Sequence, residues 1–287
     1  MQILDKATMG AEKKLFVIGS IILVFFVFMA LFAPIIAPYD PHERVGVPFS
    51  SPSVSHLLGT NDLGQDIFSE VVFGSRISII IGILTASIAV SIGCIVGIIA
   101  GYFRGRSEGL LMRFTDLILV IPFLPLIIVV AAYLGSGFFN LIIIMGLVMW
   151  PATARIIRSQ VIKVNQKEYI MALRAMGAST IYILRKHMVW EIMPFLIYRF
   201  MLTASYAILI EASLSFLGLG TPLSKSWGNI LFYAQARNAM LTDAWLWWII
   251  PAGLCIALLS VSFLLLGFYV ESRINPRLIR SSVIGRQ

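Results

Sequence analysis

Residues 77–100 read ISIIIGILTASIAVSIGCIVGIIA and contain no charged side chain. A helix rises about 1.5 Å per residue, so about 20 such residues cross the roughly 30 Å hydrocarbon core of a bilayer. The whole chain shares this character, because 59% of its 287 residues are hydrophobic and 13% are charged. In soluble domains, about 45–50% of residues are hydrophobic and about 25% are charged. This composition excludes a disordered chain and argues against a water-soluble enzyme.

Five further apolar runs predict an all-α polytopic membrane protein with six transmembrane helices. These runs cover residues 15–36, 117–134, 138–154, 195–219 and 246–270. The first run exceeds the apolar region of about 7–15 residues typical of a signal peptide, so it is interpreted as an uncleaved anchor. The predicted segments are a terminus (1–14), the first helix (15–37), a polar loop (38–75), a five-helix core (76–270) and a tail (271–287).

The basic residues predict the orientation of the chain. The formal net charge is +8, with 22 Lys and Arg residues in total. If the N-terminus is cytoplasmic, all but four of them fall on the cytoplasmic side. The four exceptions are Arg44, Arg76, Lys225 and Arg237. Because basic residues concentrate in cytoplasmic loops, both termini are predicted to be cytoplasmic and the loop 38–75 external. This distribution also explains the high pI without a nucleic-acid partner.

Familiar catalytic and metal-binding patterns are missing from the sequence. Cys94 and Cys255 lie singly inside apolar runs, which favours free thiols. The three histidines have no metal-ligand spacing. Residues 220–226 only partly match a P-loop, because Ser224 occupies the position of the second glycine. We therefore expect no catalytic residue, metal site or ATP site in this chain.

A long basic and amphipathic segment, residues 160–194, separates the fourth and fifth apolar runs. Its apolar positions Ile170, Leu173 and Met176 follow helical spacing, and Gly177 interrupts them. Glycine often ends a helix in a turn, so short helices joined at this glycine are predicted to lie beside the membrane. A basic amphipathic helix on its own is equally compatible with binding to a lipid surface.

Three stretches resemble the dipeptide/oligopeptide/nickel branch of ATP-binding cassette importer permeases. Residues 169–179 (YIMALRAMGAS) resemble the EAA loop of these permeases, and residues 56–69 (HLLGTNDLGQDIFS) and 211–220 (EASLSFLGLG) resemble two further motifs. The likeness covers nearly the whole chain. The sequence departs from the family at Met171, where the EAA glutamate is usual, and at Trp190, where a proline is usual.

The resemblance implies the type I importer fold and a multi-pass location in a prokaryotic cytoplasmic membrane. It implies that the EAA-like loop docks on an ATPase subunit and couples ATP hydrolysis to transport. The residues implied in coupling are Tyr169, Ala172, Arg174, Ala175, Gly177, Ala178 and Ser179. The implied partners, besides membrane lipid, are a second permease, an extracytoplasmic binding protein and two ATPases that bind ATP and Mg²⁺. No cofactor is implied for this chain.

Small and acidic residues within the apolar runs are further candidates. Gly93, Gly97 and Gly101 permit a close helix–helix approach, within this chain or between subunits. Asp116 is expected to pair with Arg113, three residues earlier on the helix. Other structural candidates are Pro194 and Gly218, and candidates for the translocation path are Glu211 and Ser215. Because buried charges are costly, Glu211 is expected to line the path, bond to the second permease, or fix the loop before Gly218.

The substrate is left open by the sequence. Peptides are the first interpretation, and nickel or a metal bound by a metallophore is the alternative that the branch allows. A secondary transporter is disfavoured because the two halves show no internal repeat, and a membrane enzyme because no catalytic groups are paired. The loop 38–75 is either a solvated connector or a contact for a binding protein.

Overall fold

The computed structural model describes residues 2–135, 137–221 and 224–274, with side chains from residue 13 onward. Within these ranges the regular structure is helical, apart from one isolated antiparallel bridge between Thr60 and Asp66. The α-helices are α1 (Gln2–Leu31), α2 (Ala33–Ile36), α3 (Ile67–Phe103), α4 (Arg106–Val120), α5 (Phe123–Leu134), α6 (Phe138–Asn165), α7 (Glu168–Ala175), α8 (Thr180–Ile183), α9 (Val189–Leu214), α10 (Trp227–Ala236) and α11 (Trp245–Ile274). Two π-helical turns, Leu184–Met188 and Ser215–Leu219, and a 3₁₀ turn, Ala239–Leu241, complete the described part.

Five of these helices are long and apolar enough to cross a membrane, and a bent pair supplies a sixth span. The all-α, six-span prediction is thus confirmed, with one difference. The third apolar run is two helices, α4 and α5, that meet at 87°. Pro122 explains the bend, because a residue before proline is driven out of the helical region and Ile121 has an extended backbone (ψ 128°).

The packing of α3 against α6 forms the centre of the bundle, and three glycines make it possible. A Cβ atom at Gly93 would lie 2.6 Å from the Cβ of Thr153, and one at Gly97 would lie 2.8 Å from the carbonyl oxygen of Ala154. A Cβ at Gly101 would meet α6 at 2.8 Å in the same way. The glycine series therefore serves close packing within this chain, which decides between the two alternatives that the sequence left open.

The external loop of the sequence prediction ends earlier than expected. Helix α3 begins at Ile67, so the loop covers residues 38–66 and not 38–75. The reason is a helix cap: the carboxylate of Asp66 accepts hydrogen bonds from the backbone N–H and the hydroxyl of Ser69, at 2.8 and 2.7 Å. His56 holds the other oxygen of Asp66 through Nδ1 at 3.0 Å.

A buried polar cluster joins this loop to the segment before α10. The Nζ atom of Lys225 lies 2.5 Å from a carboxylate oxygen of Glu70 and 2.7 Å from the amide oxygen of Gln65. The amide nitrogen of Asn61 donates to the same Glu70 oxygen at 2.9 Å. Below this cluster, Trp227 is fully buried and its Nε1 donates to the carbonyl of Val71 at 2.9 Å. The contacts connect the start of α3 to α10.

Ion pairs hold the separate helix α4 against α6. Asp116 pairs with Arg155 of α6 at 2.5 Å, and Glu108 pairs with Arg158. The expected pair between Asp116 and Arg113 is therefore wrong. Helix α4 lies along α6, so its acidic side chains reach the cations of the neighbouring helix, and Arg113 is exposed to solvent.

Candidate functional site

The loop between α6 and α9 contains a short helix that ends in a well-defined turn. Gly177 follows α7 with φ +79°, a conformation that costs most other residues about 1–2 kcal/mol. The N–H groups of Gly177 and Ala178 donate to the carbonyls of Arg174 and Leu173, both at 3.0 Å. This pair of bonds is the Schellman motif, which satisfies the last carbonyls of a helix. The hydroxyl of Ser179 then caps α8 by accepting the N–H of Tyr182.

The inner face of α7 is anchored in a small apolar core. Ile170 is fully buried and packs in one cluster with Ile183, Met188 and Ile192 from the chain after the turn. Side chains of α6, among them Val161, belong to the same cluster. Burying a side chain of this size contributes about 1.5–3 kcal/mol. Helix α7 is therefore fixed to the ends of α6 and α9.

Arg174 connects α7 to two long helices. One guanidinium nitrogen donates to the side-chain oxygen of Asn165 at 2.8 Å, and the guanidinium carbon lies 4.8 Å from the centre of the Tyr102 ring. The Asn165 amide donates to the carbonyl of Gly101 at 3.1 Å. These contacts tie α7 to the last turns of α3 and α6. Arg174 thus has partners inside the chain.

Tyr169 forms a second support, toward α9. Its hydroxyl donates to the carboxylate of Glu191 at 2.9 Å, and the ammonium of Lys167 lies 2.7 Å from the same oxygen. Burial and this hydrogen bond to Glu191 raise the pKa of Tyr169 to about 12. The phenol therefore stays protonated and continues to donate at neutral pH.

The outer face of α7 is apolar and unoccupied within the described chain. Met176 is 82% exposed and Ile181 is 68% exposed, and the side chains of Ala172 and Ala175 are exposed as well. A Cβ atom added at Gly177 would meet nothing within 4 Å. Exposed apolar side chains concentrated in one short segment are typical of a protein-binding site, and methionine adapts well to a partner. We call these five residues the outer patch.

The sequence-predicted coupling residues thus divide into two sets. Ala172, Ala175 and Gly177 belong to the outer patch. The others bond to neighbouring helices or shape the turn: Tyr169, Arg174, Ala178 and Ser179. Sequence reasoning missed Asn165 and Glu191, which hold Arg174 and Tyr169. Nothing in the local pattern distinguished them, because both lie within the polar segment 160–194.

Three of the remaining candidates, Glu211, Ser215 and Gly218, lie at the end of α9 near α10. Glu211 is buried and accepts a hydrogen bond from the hydroxyl of Ser215 at 2.8 Å. A Cβ at Gly228, in the first turn of α10, would lie 2.7 Å from the Cβ of Ser215. Gly218 ends the π-helical turn with φ +83°. A path role for Glu211 and Ser215 stays a prediction. Pro194 lies within α9 and is exposed.

Comparison with known proteins agrees with this architecture. Residues 93–276, which include most of the α3–α6 packing and all of α7 and α9, match the family described as "Binding-protein-dependent transport system inner membrane component". The chain belongs to this permease family. The permease also matches, over residues 11–52, the "N-terminal TM domain of oligopeptide transport permease C". It is therefore a multi-pass membrane subunit of an ATP-binding cassette importer.

Two relatives from Bacillus subtilis (strain 168) illustrate the similarity. The permease is 36% identical over 270 residues to the "Oligopeptide transport system permease protein OppC", covering 93% of this chain and 87% of the relative. It is 32% identical over 272 residues to the "Dipeptide transport system permease protein DppC". This alignment covers 94% of this chain and 84% of the relative. Both alignments extend through almost the whole permease.

Proposed function

We propose that this permease is one of two membrane subunits of an importer that carries di- and oligopeptides inward, and that the outer patch docks on an ATPase subunit. The names of the relatives support peptides as substrates. The match to a binding-protein-dependent transport family supports an extracytoplasmic binding protein, a second permease and two ATPases as partners. ATP and Mg²⁺ are bound by those ATPases, and this chain is a non-catalytic subunit.

The observation that carries the proposal is an exposed apolar patch on a firmly supported helix. An amphipathic helix can place such a face in a hydrophobic groove of another protein. Movement of that protein is transmitted to the membrane helices only when the docked helix stays rigid and stays fixed to the helices that support it. The buried side chain of Ile170 and the two polar supports, Arg174 and Tyr169, meet this requirement. Displacement of α7 would therefore move the ends of α3, α6 and α9 together.

The charge distribution supports the orientation of the permease in the membrane. The positive-inside rule favours a cytoplasmic location for the α7 end, where ATP is available to the partner subunits. The loop 38–66 and α10 then face outward, where a binding protein delivers substrate. The ion pair between Lys225 and Glu70 belongs to the cluster that holds this loop against the segment before α10. The outward-facing end of the molecule therefore has a defined surface.

Site-directed crosslinking of the assembled importer tests this arrangement. In a background with Cys94 and Cys255 replaced by alanine, Met176→Cys is expected to crosslink to an ATPase subunit. Val54→Cys is the matched control, because Val54 is 99% exposed on the loop at the opposite end. Crosslinking of Val54→Cys and not of Met176→Cys to the ATPase would reverse the orientation and refute the docking proposal.

Uptake into proteoliposomes tests the substrate. The importer with its binding protein is expected to accumulate labelled di- or tripeptide only when ATP is supplied on the ATPase side. Import of nickel without peptide import would refute the peptide assignment while leaving the docking proposal intact.

A further inference from the structure

A cavity of about 460 Å³ lies between five helices. They are α4 and α5, which form the bent pair, together with α6, α9 and α11. This volume lies within the range of about 300–1,000 Å³ that small-molecule sites occupy. Most of its lining side chains are apolar, among them Phe123, Met149 and Leu264. Among the described residues, Arg199 of α9 is the one charged residue in its wall.

Arg199 has no ion-pair partner among the residues that the structure describes. Its side chain is half-buried, and its Nε donates to the hydroxyl of Thr153 at 3.3 Å. A guanidinium carries five donors and stays charged at any physiological pH. Arg199 belongs to an apolar segment long enough to cross a membrane, and the sequence assigns it to the cytoplasmic side of that segment. A cation there with no ion-pair partner among the described residues is free to bind an anion.

Two hydroxyl-bearing residues continue the same face of α9. Thr203 follows one turn later and Tyr206 follows two turns later, and both line the cavity. Thr203 is 3% exposed, and its Oγ1 has no hydrogen-bond partner among the described residues. Buried hydroxyl groups are nearly always paired in folded proteins. The wall thus presents one cation opposite apolar side chains, while the Oγ1 atom of Thr203 has almost no accessible surface and does not face the cavity.

The backbone beside the cavity is also broken. Leu119 and Phe123 line the cavity from the two sides of the break at Ile121 and Pro122. At membrane depth, non-helical backbone is tolerated where it is buried in protein or lines a water-filled cavity. Discontinuous helices commonly border substrate sites in transporters. This break is an independent indication that the cavity admits polar ligands.

We propose that this cavity is a transit site for the free C-terminal carboxylate of the transported peptide, with Arg199 as the anion-binding group. The inference rests on the peptide function proposed above. A guanidinium binds a carboxylate through two parallel charge-assisted hydrogen bonds, and the apolar walls accept side chains of varied shape. One charged contact in an apolar cavity suits a site that must also release its ligand.

The test compares a labelled tripeptide with the same tripeptide amidated at its C-terminus, each at a concentration that saturates the binding protein. Uptake is measured in proteoliposomes containing the complete importer with wild-type permease, Arg199→Gln, Arg199→Lys or Thr203→Val. Arg113→Gln is the matched control, because Arg113 is an exposed arginine that does not line the cavity. Co-purification of the ATPases confirms assembly of each variant.

We expect the wild-type and Arg113→Gln permeases to favour the free carboxylate over the amide. Arg199→Gln should lower uptake of the free acid about tenfold and leave uptake of the amide nearly unchanged, so that the preference disappears. Arg199→Lys should restore part of the preference. Thr203→Val, which removes a hydroxyl that does not face the cavity, should leave the preference unchanged.

An unchanged ratio of acid to amide uptake in Arg199→Gln would overturn the inference, and equal loss of both peptides would assign Arg199 a structural role instead. Failure of the wild-type importer to transport either peptide would refute the peptide function itself. An anionic lipid headgroup could supply the same chemistry. The experiment is therefore repeated in vesicles of phosphatidylcholine alone, and an Arg199→Gln effect that vanishes there would assign the site to lipid.

Discussion

The guanidinium of Arg174 lies over the ring of Tyr102, with 4.8 Å between the guanidinium carbon and the ring centre. One residue belongs to the short helix that carries the outer patch, and the other lies in the last turns of the longest described helix. The contact therefore connects the helix that carries the outer patch directly to a long apolar helix of the bundle.

Arg174→Ala is expected to weaken coupling without preventing assembly. The substitution removes a charge-assisted hydrogen bond and a cation–π contact, each worth about 1–2 kcal/mol. Helix α7 keeps its buried Ile170 and so still docks. We expect substrate-stimulated ATPase activity to fall several-fold in proteoliposomes, while basal ATPase activity remains. Arg174→Lys is the control for charge, and activity equal to wild type in Arg174→Ala would contradict the supporting role.

Gly177→Trp is expected to abolish transport-coupled ATPase activity while the protein still reaches the membrane. The residue has φ +79° and open space around it, so a large side chain would project from the outer patch into the partner's position. Gly177→Asn separates the two effects, because asparagine tolerates this backbone conformation and is much smaller. We expect Gly177→Asn to retain most of the coupling. Normal coupling in the tryptophan variant would exclude this turn from the interface.

Gly97→Leu is expected to destabilise the bundle. A Cβ alone would lie 2.8 Å from the carbonyl oxygen of Ala154, so α3 and α6 must separate to admit a larger side chain. Overpacking of this kind costs about 1–3 kcal/mol or more. Thermal unfolding in detergent, followed by tryptophan fluorescence, measures the loss. Gly109→Ala is the matched control, because a Cβ there meets nothing within 4 Å, and an equal loss in both variants would refute the packing role.

Lys225→Met is expected to destabilise the outer end of the molecule. It leaves the carboxylate of Glu70, whose side chain is almost fully buried, without its cation. Removing one partner of a buried pair typically costs about 3–5 kcal/mol. The double variant Glu70→Gln with Lys225→Met should recover much of this loss, because no buried charge is left unpaired. Limited proteolysis of the loop 38–66 provides the measurement, and additive losses would contradict a coupled pair.

Glu211→Gln is expected to have little effect on transport if the residue fixes the segment beside α10. Glutamine retains an oxygen that accepts the hydroxyl of Ser215, now 2.8 Å from the carboxylate. Glu211→Leu removes the acceptor and should lower both stability and transport. A strong transport defect in Glu211→Gln, with unchanged thermal stability, would instead support the role in the translocation path.

Local patterns determined the helical class of this protein, its number of spans and the turn at Gly177. Apolar run length sets where a helix can cross a membrane, and a glycine after a helix supplies the left-handed conformation that ends it. The basic residues predicted the orientation in the same way. Each of these properties can be determined along the chain without knowing which distant residues meet.

Only the tertiary structure decided which distant residues meet. Asp116 pairs with Arg155, 39 residues away, and not with its neighbour on the helix, because α4 turns at Pro122 and lies along α6. The glycine series was recognisable in the sequence, but its partner helix was not. In the sequence, Arg199 is one of many basic residues assigned to the cytoplasmic side. Only the packing of five helices shows that it lies in the wall of a cavity. Such contacts depend on how helices are arranged in space, and residue spacing along one helix carries no information about that arrangement.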